Sequence, residues 1–203
     1  MVDALVLAKP ANGLVVFAYN SGLSRFSLRN RQVARSPYER RCGTPLPDLL
    51  RREEERDRTN VFDIRLRSER LLAARRCAPT RPESVEPQVG YFGASIRAGA
   101  ALRAAALLGD QLGAAVSRGA RPDLAGPVLS NVAARVPLIV GKHDELVPEP
   151  GREARSHLRT PSELAVVPGA PRRFEEQGGP EEVSRVAGDR FGRRVAPVEE
   201  EAA

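Results

Sequence analysis

The amino-acid sequence predicts an α/β fold with a mostly parallel central sheet and helices on both of its faces. Three observations carry this prediction. Short, near-continuous apolar runs are typical of strands that are covered on both faces of a parallel sheet. These runs alternate along the chain with longer segments of helical pattern. The length of 203 residues suits one domain with a substantial core.

Five apolar runs are predicted to form strands of the sheet. They lie at 14–18, 88–92, 112–117, 136–140 and 164–167. A further strand is expected at about 43–50, where Pro45 and Pro47 cannot donate ladder hydrogen bonds. We therefore expect this region to be disrupted by its prolines and to form an edge strand, a loop or a damaged element.

Helical patterns occupy intervals between the strands. Segment 98–108 is rich in Ala and Leu, which have high helix propensity. Weaker helices are predicted at 149–158 and 180–191, the second with Pro180 in its first turn. Another helix is predicted over 60–75, with a broad apolar face formed by Val61, Ile64, Leu66, Leu71 and Leu72.

The chain is assigned to one domain because it contains no internal repeat and no clear linker. This domain covers residues 1–196, and the acidic tail at 197–203 is predicted to be disordered. No apolar run reaches the roughly 18 residues that a membrane span needs. The apolar patch at 4–8 is too short for a signal peptide.

The cysteines and the charges indicate neither a metal site nor a nucleic-acid partner. Cys42 and Cys77 lack metal-ligand spacing, and we expect free thiols and a cytoplasmic location. The net charge of +6 is dispersed, with arginine pairs such as Arg40-Arg41 interleaved with acidic runs such as 53–55. A solvated surface is therefore favoured over a nucleic-acid footprint. No glycine-rich phosphate loop is present, and no cofactor is expected.

The stretch from Val89 to Gly99 contains the main candidate for chemistry. A predicted strand runs directly into a turn of small residues with Ser95 at its apex, and a predicted helix follows. This is the context of a nucleophile elbow, whose sharp turn requires small residues two positions before and after the serine. Gly93 meets that requirement and Arg97 does not. Ser95 is the candidate nucleophile, and the N–H of Ile96 is the candidate first oxyanion donor.

Two later strands are expected to supply the other members of a catalytic triad. In folds with this elbow the order along the chain is serine, acid and histidine, each at the carboxyl end of a strand. Asp144 follows the strand at 136–140 and is therefore the candidate acid. The loop at 168–176, after the strand at 164–167, is where the histidine is expected.

With these residues in place, the sequence resembles the dienelactone-hydrolase-like branch of the α/β-hydrolase superfamily, which includes domains fused to phosphoribosyltransferases. The resemblance extends over roughly residues 12–192. Family members usually read Phe-Ala-His-Gly-Ser-Gly after the first core strand, Gly-Ala-Ser-x-Gly at the elbow, and Pro-Gly-Ala-x-His before Phe-Glu-Glu. The resemblance implies a serine hydrolase acting on an ester, lactone or thioester of a small molecule.

The chain departs from the family at three working positions. Tyr19-Asn20 stands where the family has His-Gly, Arg97 replaces the second elbow glycine, and Arg172 occupies the position of the catalytic histidine. A serine hydroxyl needs a base to take its proton. Arginine is always protonated and cannot be that base. The sequence therefore predicts impaired activity.

The chain has two histidines that could replace the missing base, His143 and His157, and neither is well placed for that role. His143 neighbours Asp144, but adjacent residues at a strand end usually point in different directions. His157 is predicted on an exposed helix surface. We favour a position on the protein surface for both histidines. His143 is the candidate for a substitute base.

The remaining predicted site residues would shape the pocket. Asn20 and Ser21 are expected to provide the second oxyanion donor, and Tyr19 to line the substrate site. Arg118 and Arg121 are candidates for holding an anionic substrate group. A loop tied by Arg–Asp contacts is the alternative interpretation of the two arginines.

Three functions remain open at this point. The chain is a serine hydrolase with impaired turnover, a non-catalytic protein that binds a ligand or partner in the same pocket, or an arginine-driven binder of anions or nucleic acid. A degenerating copy is a further alternative. The sequence leaves the oligomeric state open.

Overall fold

A computed structural model of the chain describes residues 4–7, 13–18, 27–77, 88–118, 122–132, 137–141, 163–167 and 178–195. Seven strands in these residues form one sheet. They are β1 (Ala4–Leu7), β2 (Gly13–Ala18), β3 (Cys42–Pro47), β4 (Val89–Ala94), β5 (Leu112–Arg118), β6 (Pro137–Gly141) and β7 (Glu163–Val167). Their order is β1-β3-β2-β4-β5-β6-β7. β1 is antiparallel to β3, and all other neighbours are parallel.

Six α-helices lie within the described residues. They are α1 (Leu28–Glu39), α2 (Arg52–Glu55), α3 (Arg58–Phe62), α4 (Ile64–Ala74), α5 (Ile96–Leu108) and α6 (Gly179–Arg194). Short 3-10 helices cover Arg75–Cys77 and Gly109–Gln111, and two more lie within Pro122–Asn131, separated by a kink at Gly126. Among the described residues, no helix is long and apolar enough to cross a membrane.

The core has two layers because successive strand residues point to opposite faces of the sheet. On β2, Leu14 and Val16 pack into a cluster with residues of α4 and α5. Val15 and Phe17, from the alternate positions, pack into a second cluster with residues of α1 and α6. Every residue of β2 is buried, which explains why the strand is a continuous apolar run.

The sequence-based prediction of the fold class is confirmed, and the five apolar runs form β2, β4, β5, β6 and β7. The predicted helices at 98–108 and 180–191 correspond to α5 and α6. The predicted helix at 149–158 and the tail at 197–203 lie outside the described residues. β1 and α1 are not among the elements predicted from the sequence.

The proline-containing region forms a buried strand one position in from the edge of the sheet. β3 pairs with β1 from Thr44 to Pro47, whereas its parallel pairing with β2 covers Cys42 and Gly43. Pro45 and Pro47 are two residues apart, so both remove an N–H from the same side of the strand. Along the segment that contains the prolines, only the other side of β3 therefore keeps the N–H groups needed for regular hydrogen bonding to a neighbouring strand.

The helix predicted over 60–75 is two helices. Asp63 separates α3 from α4 with extended backbone angles (φ −72°, ψ 92°), and its carboxylate accepts a hydrogen bond from the N–H of Leu66 at 2.8 Å. This is the usual role of an aspartate at a helix N-cap. Ile64, Leu71 and Leu72 of the predicted apolar face pack into the core, whereas Leu66 is partly exposed and α4 also buries Arg67.

Arg70 ties α4 to α2 and to the chain after β3. Its guanidinium donates to both carboxylate oxygens of Glu54, at 2.6 and 2.7 Å, and to the carbonyl oxygen of Leu49 at 2.8 Å. The hydrogen bond from Arg70 is the main cause that lowers the pKa of Glu54 to about 2, followed by the hydrogen bond from the Arg51 N–H. These hydrogen bonds tie α4 to the segment around Leu49 and Glu54, which precedes it by about 20 residues in the sequence.

Arg70→Ala is expected to lower the free energy of unfolding by about 1–2 kcal/mol at pH 7, because charge-assisted hydrogen bonds are lost. Arg65→Ala is the matched control on the same helix. Its pair with Glu69 is largely exposed, and we expect a change of less than about 0.5 kcal/mol. Urea unfolding of both variants measures the difference.

The effect of Arg70 should depend on pH in a defined direction. The pKa of Glu54 is lower in the folded protein than its ordinary value of 4.5, so the stabilisation is complete above pH 4.5 and is lost as the pH falls towards about 2. The difference between Arg70→Ala and the native protein should shrink over that range. An effect of Arg70→Ala that is constant from pH 7 to pH 3 would contradict the assignment.

Candidate active site

The turn between β4 and α5 holds Ser95 in a strained conformation. Its backbone angles are φ 56° and ψ −131°, and among the described residues only Ser95 and Arg41 have a positive φ without being glycine. Such a conformation costs about 1–3 kcal/mol and persists only where the surroundings enforce it. The Ser95 N–H donates to the carbonyl oxygen of Arg118 at 3.1 Å, and the Ser95 carbonyl accepts from the N–H of Ala98 at 3.0 Å. Neighbouring β5 and the first turn of α5 therefore fix the turn.

Gly93 allows α5 to begin this close to the sheet. A Cβ atom at Gly93 would lie 2.6 Å from the Cα of Ala98 and 2.6 Å from the carbonyl oxygen of Arg97. Both atoms belong to the backbone of α5, so a flexible side chain cannot yield to make room. The helix itself presents alanines to the sheet, among them the buried Ala98 and Ala101. Small residues on both sides of the contact bring the start of α5 directly behind Ser95.

The Ser95 hydroxyl is not used to cap the helix that follows it. A serine at an N-cap usually accepts a hydrogen bond from an N–H of the first turn. Ser95 occupies the N-cap of α5 without such a bond. The first N–H groups of a helix have no acceptor within the helix, and they carry the positive end of its dipole. The turn thus combines a hydroxyl that makes no capping bond with backbone donors, beginning at Ile96, that favour negative charge.

Two arginines belong to the helices next to this turn, Arg97 to the first turn of α5 and Arg67 to α4, which packs against α5. Arg67 on α4 is 1% exposed, and burial followed by the charge of Arg97 lowers the pKa of Arg67 to about 10. Arg67 is therefore still a cation at neutral pH. Arg97 is partly buried in the first turn of α5. The sequence identified Arg97 as a departure from the elbow motif, but an arginine within an amphipathic helix gave no signal of burial.

Cys42 does not compete with Ser95 as a nucleophile. It is a free cysteine on β3 with 2% exposure, and burial raises the pKa of its thiol to about 12. The thiolate is the reactive form of cysteine, and almost none is present at neutral pH. The described residues contain no group of three or more His, Cys, Asp or Glu side chains that could hold a metal ion.

The described residues also form a groove of about 400 Å³ between the ends of α4 and α5. Its lining includes Leu72, Arg75, Leu107 and Gln111. Gln111 directly precedes β5, whereas Ser95 follows the carboxyl end of β4. The groove therefore lies at the opposite end of the parallel strands from Ser95.

Ser95, Ile96 and Arg118 are the predicted site residues that lie in the described part of the chain, and the hydrogen bond from Ser95 to Arg118 brings them together. The other predicted site residues lie outside it, namely Tyr19, Asn20, Ser21, Arg121, His143, Asp144 and Arg172. The strands that precede those segments end at one edge of the sheet. Ala18 of β2 pairs with Gly93, and Gly141 of β6 pairs with Val167 of β7.

The parallel sheet, its flanking helices and the strained strand–turn–helix at Ser95 define the α/β-hydrolase class of fold. Comparison with solved structures agrees. The chain superposes on a dienelactone hydrolase from Anabaena variabilis with a TM-score of 0.84 and 39% identity, covering 96% of this chain and 92% of that one. An α/β serine hydrolase homologue from Coxiella burnetii gives a TM-score of 0.68 at 16% identity, covering 93% and 90% of the two chains. This chain belongs to the dienelactone hydrolase family.

Sequence comparison identifies relatives that are longer than this chain. Proteins from two strains of Mycobacterium tuberculosis, each named as a phosphoribosyl transferase, are 47% identical over 187 residues. The match covers 92% of this chain and 42% of each relative, so the chain spans less than half the length of these curated relatives. No family model matches the sequence.

Proposed function

We propose that the chain is a serine-hydrolase-like domain that accepts an ester, lactone or thioester of a small molecule and turns it over poorly. Ser95 is the nucleophile, Asp144 the triad acid and the Ile96 N–H the first oxyanion donor. Asn20 and Ser21 supply the second donor, and Tyr19, Arg118 and Arg121 contact the substrate. The observation that carries the proposal is the strained backbone of Ser95, whose hydroxyl makes no capping bond at the start of α5.

The chemistry of the proposal follows from that turn. Attack of the Ser95 oxygen on an acyl carbon would place negative charge on the carbonyl oxygen. Backbone N–H groups at the start of a helix stabilise such charge without reorganisation. The missing contribution is proton transfer, since Arg172 stands at the position of the base and is permanently protonated. Without that transfer the Ser95 hydroxyl attacks slowly, although the backbone donors still stabilise the negative charge that develops.

The expected result in a hydrolysis assay is slow turnover that depends on Ser95. With p-nitrophenyl acetate, the native protein should exceed the uncatalysed rate, and Ser95→Ala should return it to that background. Ser184→Ala is the matched control, because the Ser184 hydroxyl donates to the Gln32 carbonyl on the helical layer of α1 and α6. This variant should keep the native rate.

Two other outcomes would decide against the proposal. A kcat/KM in the ordinary enzyme range of about 10⁴ M⁻¹s⁻¹ or above, lost in Ser95→Ala, would mean that a base exists and that turnover is not impaired. His143 would then be the first residue to test. Equal rates for the native protein and Ser95→Ala would favour the second candidate, a non-catalytic protein that binds a ligand in the same pocket. The partly buried Arg97 beside Ser95 supports that candidate.

A further inference from the structure

We propose that the groove between the ends of α4 and α5 is a docking site for an acidic segment of the same chain, residues 196–203. This segment follows Val195, the last described residue, and contains Glu199, Glu200 and Glu201. None of the predicted site residues takes part in this contact, so it is independent of the proposed function.

The apolar part of the groove is open to solvent. Leu72, Leu107 and Leu108 line it. Leu72 and Leu108 pack against the core cluster that α4 and α5 share with the sheet, whereas Leu107 is 54% exposed. Removing such apolar surface from water is favourable. An occupant therefore gains free energy by placing an apolar side chain against these leucines.

The polar part of the groove carries an excess of positive charge. Arg75 and Arg76 line it, and Arg75 donates a hydrogen bond to the neutral side chain of Gln111 at 2.6 Å. Glu69 also lines the groove, but its carboxylate pairs with Arg65 at 3.0 Å. Within the described part of the chain, no carboxylate pairs with Arg75 or Arg76. The charges of the groove therefore suit an acidic occupant.

The end of α6 brings the acidic segment to the same end of the sheet as the groove. A Cβ atom at Gly113, near the start of β5, would lie 2.5 Å from the carbonyl oxygen of Arg194 and 3.1 Å from Cγ2 of Val195. Gln111 precedes Gly113 by two residues, so their Cα atoms are at most about 7 Å apart. Val195 packs on the face of α1 and α6, and Leu108 packs on the opposite face. The segment therefore has to pass the amino end of β5.

The segment has the length and the side chains that this path requires. An extended chain spans about 3.3–3.6 Å per residue, so Glu199 can lie about 13–14 Å from Val195 and Glu201 about 20–22 Å. Val198 precedes the glutamates and supplies an apolar side chain for the leucines. The sequence predicts no structure of its own for residues 197–203, and such a segment can become ordered through the contacts that it makes.

Arg193 and Arg194, in the last turn of α6, are an alternative pair of cations for the glutamates. The groove is favoured over them because it offers apolar surface as well as charge. Negative charge beyond the carboxyl end of a helix is unfavourable to the helix dipole. Replacing the glutamates by glutamine should therefore leave the protein unchanged or stabilise it, unless cations in the folded protein balance them.

A double-mutant cycle on the full chain, read by thermal unfolding, tests the pairing. Replacing Glu199, Glu200 and Glu201 together by glutamine should lower the Tm by about 2–4 °C. The loss should fall below about 1 °C in a chain that already carries Arg75→Gln and Arg76→Gln, because coupled groups are not additive. No loss in the native chain, or the same loss in this background, would overturn the proposal.

Arg193→Gln combined with Arg194→Gln is the matched control for the removal of two charges. The loss caused by the three glutamine substitutions should persist in this background. A loss that disappears here and persists with Arg75→Gln and Arg76→Gln would place the glutamates at the end of α6 and overturn the proposal.

A fluorescent probe tests the position of the segment directly, because the chain contains no tryptophan. In Val198→Trp, acrylamide should quench the single indole about twofold less than it quenches N-acetyltryptophanamide. Adding Arg75→Gln and Arg76→Gln should remove this protection. Quenching equal to that of the free compound in Val198→Trp alone would overturn the proposal. Protection that rises with protein concentration would also overturn it, because the segment would then bind a second copy.

Discussion

Replacing Gly93 by alanine is expected to lower the free energy of unfolding by about 3 kcal/mol, the upper end of the usual cost of overpacking. The added methyl would lie 2.6 Å from two backbone atoms of α5 and 2.9 Å from the Cβ of Ala101. Relief requires moving the whole start of the helix, together with the turn at Ser95. Urea unfolding of the native protein and the variant gives the difference directly.

Gly109→Ala is the control for this substitution because Gly109 lies at the other end of the same helix. A methyl there meets no atom within 4 Å, but the φ of 61° is unfavourable for alanine. We expect a smaller loss of about 1 kcal/mol, from backbone strain alone. A Gly93→Ala variant within about 0.5 kcal/mol of the native protein would mean that α5 does not pack against β4 as described.

The second large effect concerns the position of the missing base. Arg172→His should raise kcat/KM for small activated esters on the order of 10²-fold, because general-base catalysis typically contributes 10²–10⁴-fold. The lower end is expected, since Tyr19-Asn20 and Arg97 also depart from the family pattern. The gain should disappear when Ser95→Ala or Asp144→Ala is added, because the three residues would act as a unit.

The rate of Arg172→His should also depend on pH. A histidine base acts in its neutral form, so the rate should rise with pH around the ordinary histidine pKa of about 6.5. Arg172→Gln removes the same charge without supplying a base, and it should leave the rate near that of the native protein. A similar gain in both variants would mean that the arginine only obstructs the site.

Local sequence patterns were sufficient for five of the seven described strands and for the turn at Ser95. A buried strand of a parallel sheet is a contiguous apolar run, and the elbow is defined by a stretch of about ten residues from strand to helix. Both signals are complete within short windows of the sequence. Gly93 is a large part of the elbow pattern. The helix that requires a glycine at this position, α5, follows it within a few residues.

Features that depend on distant segments could not be predicted in the same way. The position of β3 depends on its antiparallel partner β1, a four-residue strand from the start of the chain. The burial of Arg67 is a second such feature, because it depends on the packing of α4 against other elements, α5 among them. A buried arginine contradicts the hydrophobic pattern, so the periodicity of the sequence gave no indication that Arg67 is buried.

The most direct test of the account is the labelling of Ser95 by a fluorophosphonate, followed by intact-mass spectrometry and peptide mapping. Three folded proteins are compared, namely the native chain, Arg172→His, and Arg172→His combined with Ser95→Ala. We expect slow, substoichiometric labelling of the native chain, one adduct on Ser95 in Arg172→His, and none in the double variant. Rapid stoichiometric labelling of Ser95 in the native chain, or a folded Arg172→His that takes no label, would contradict it.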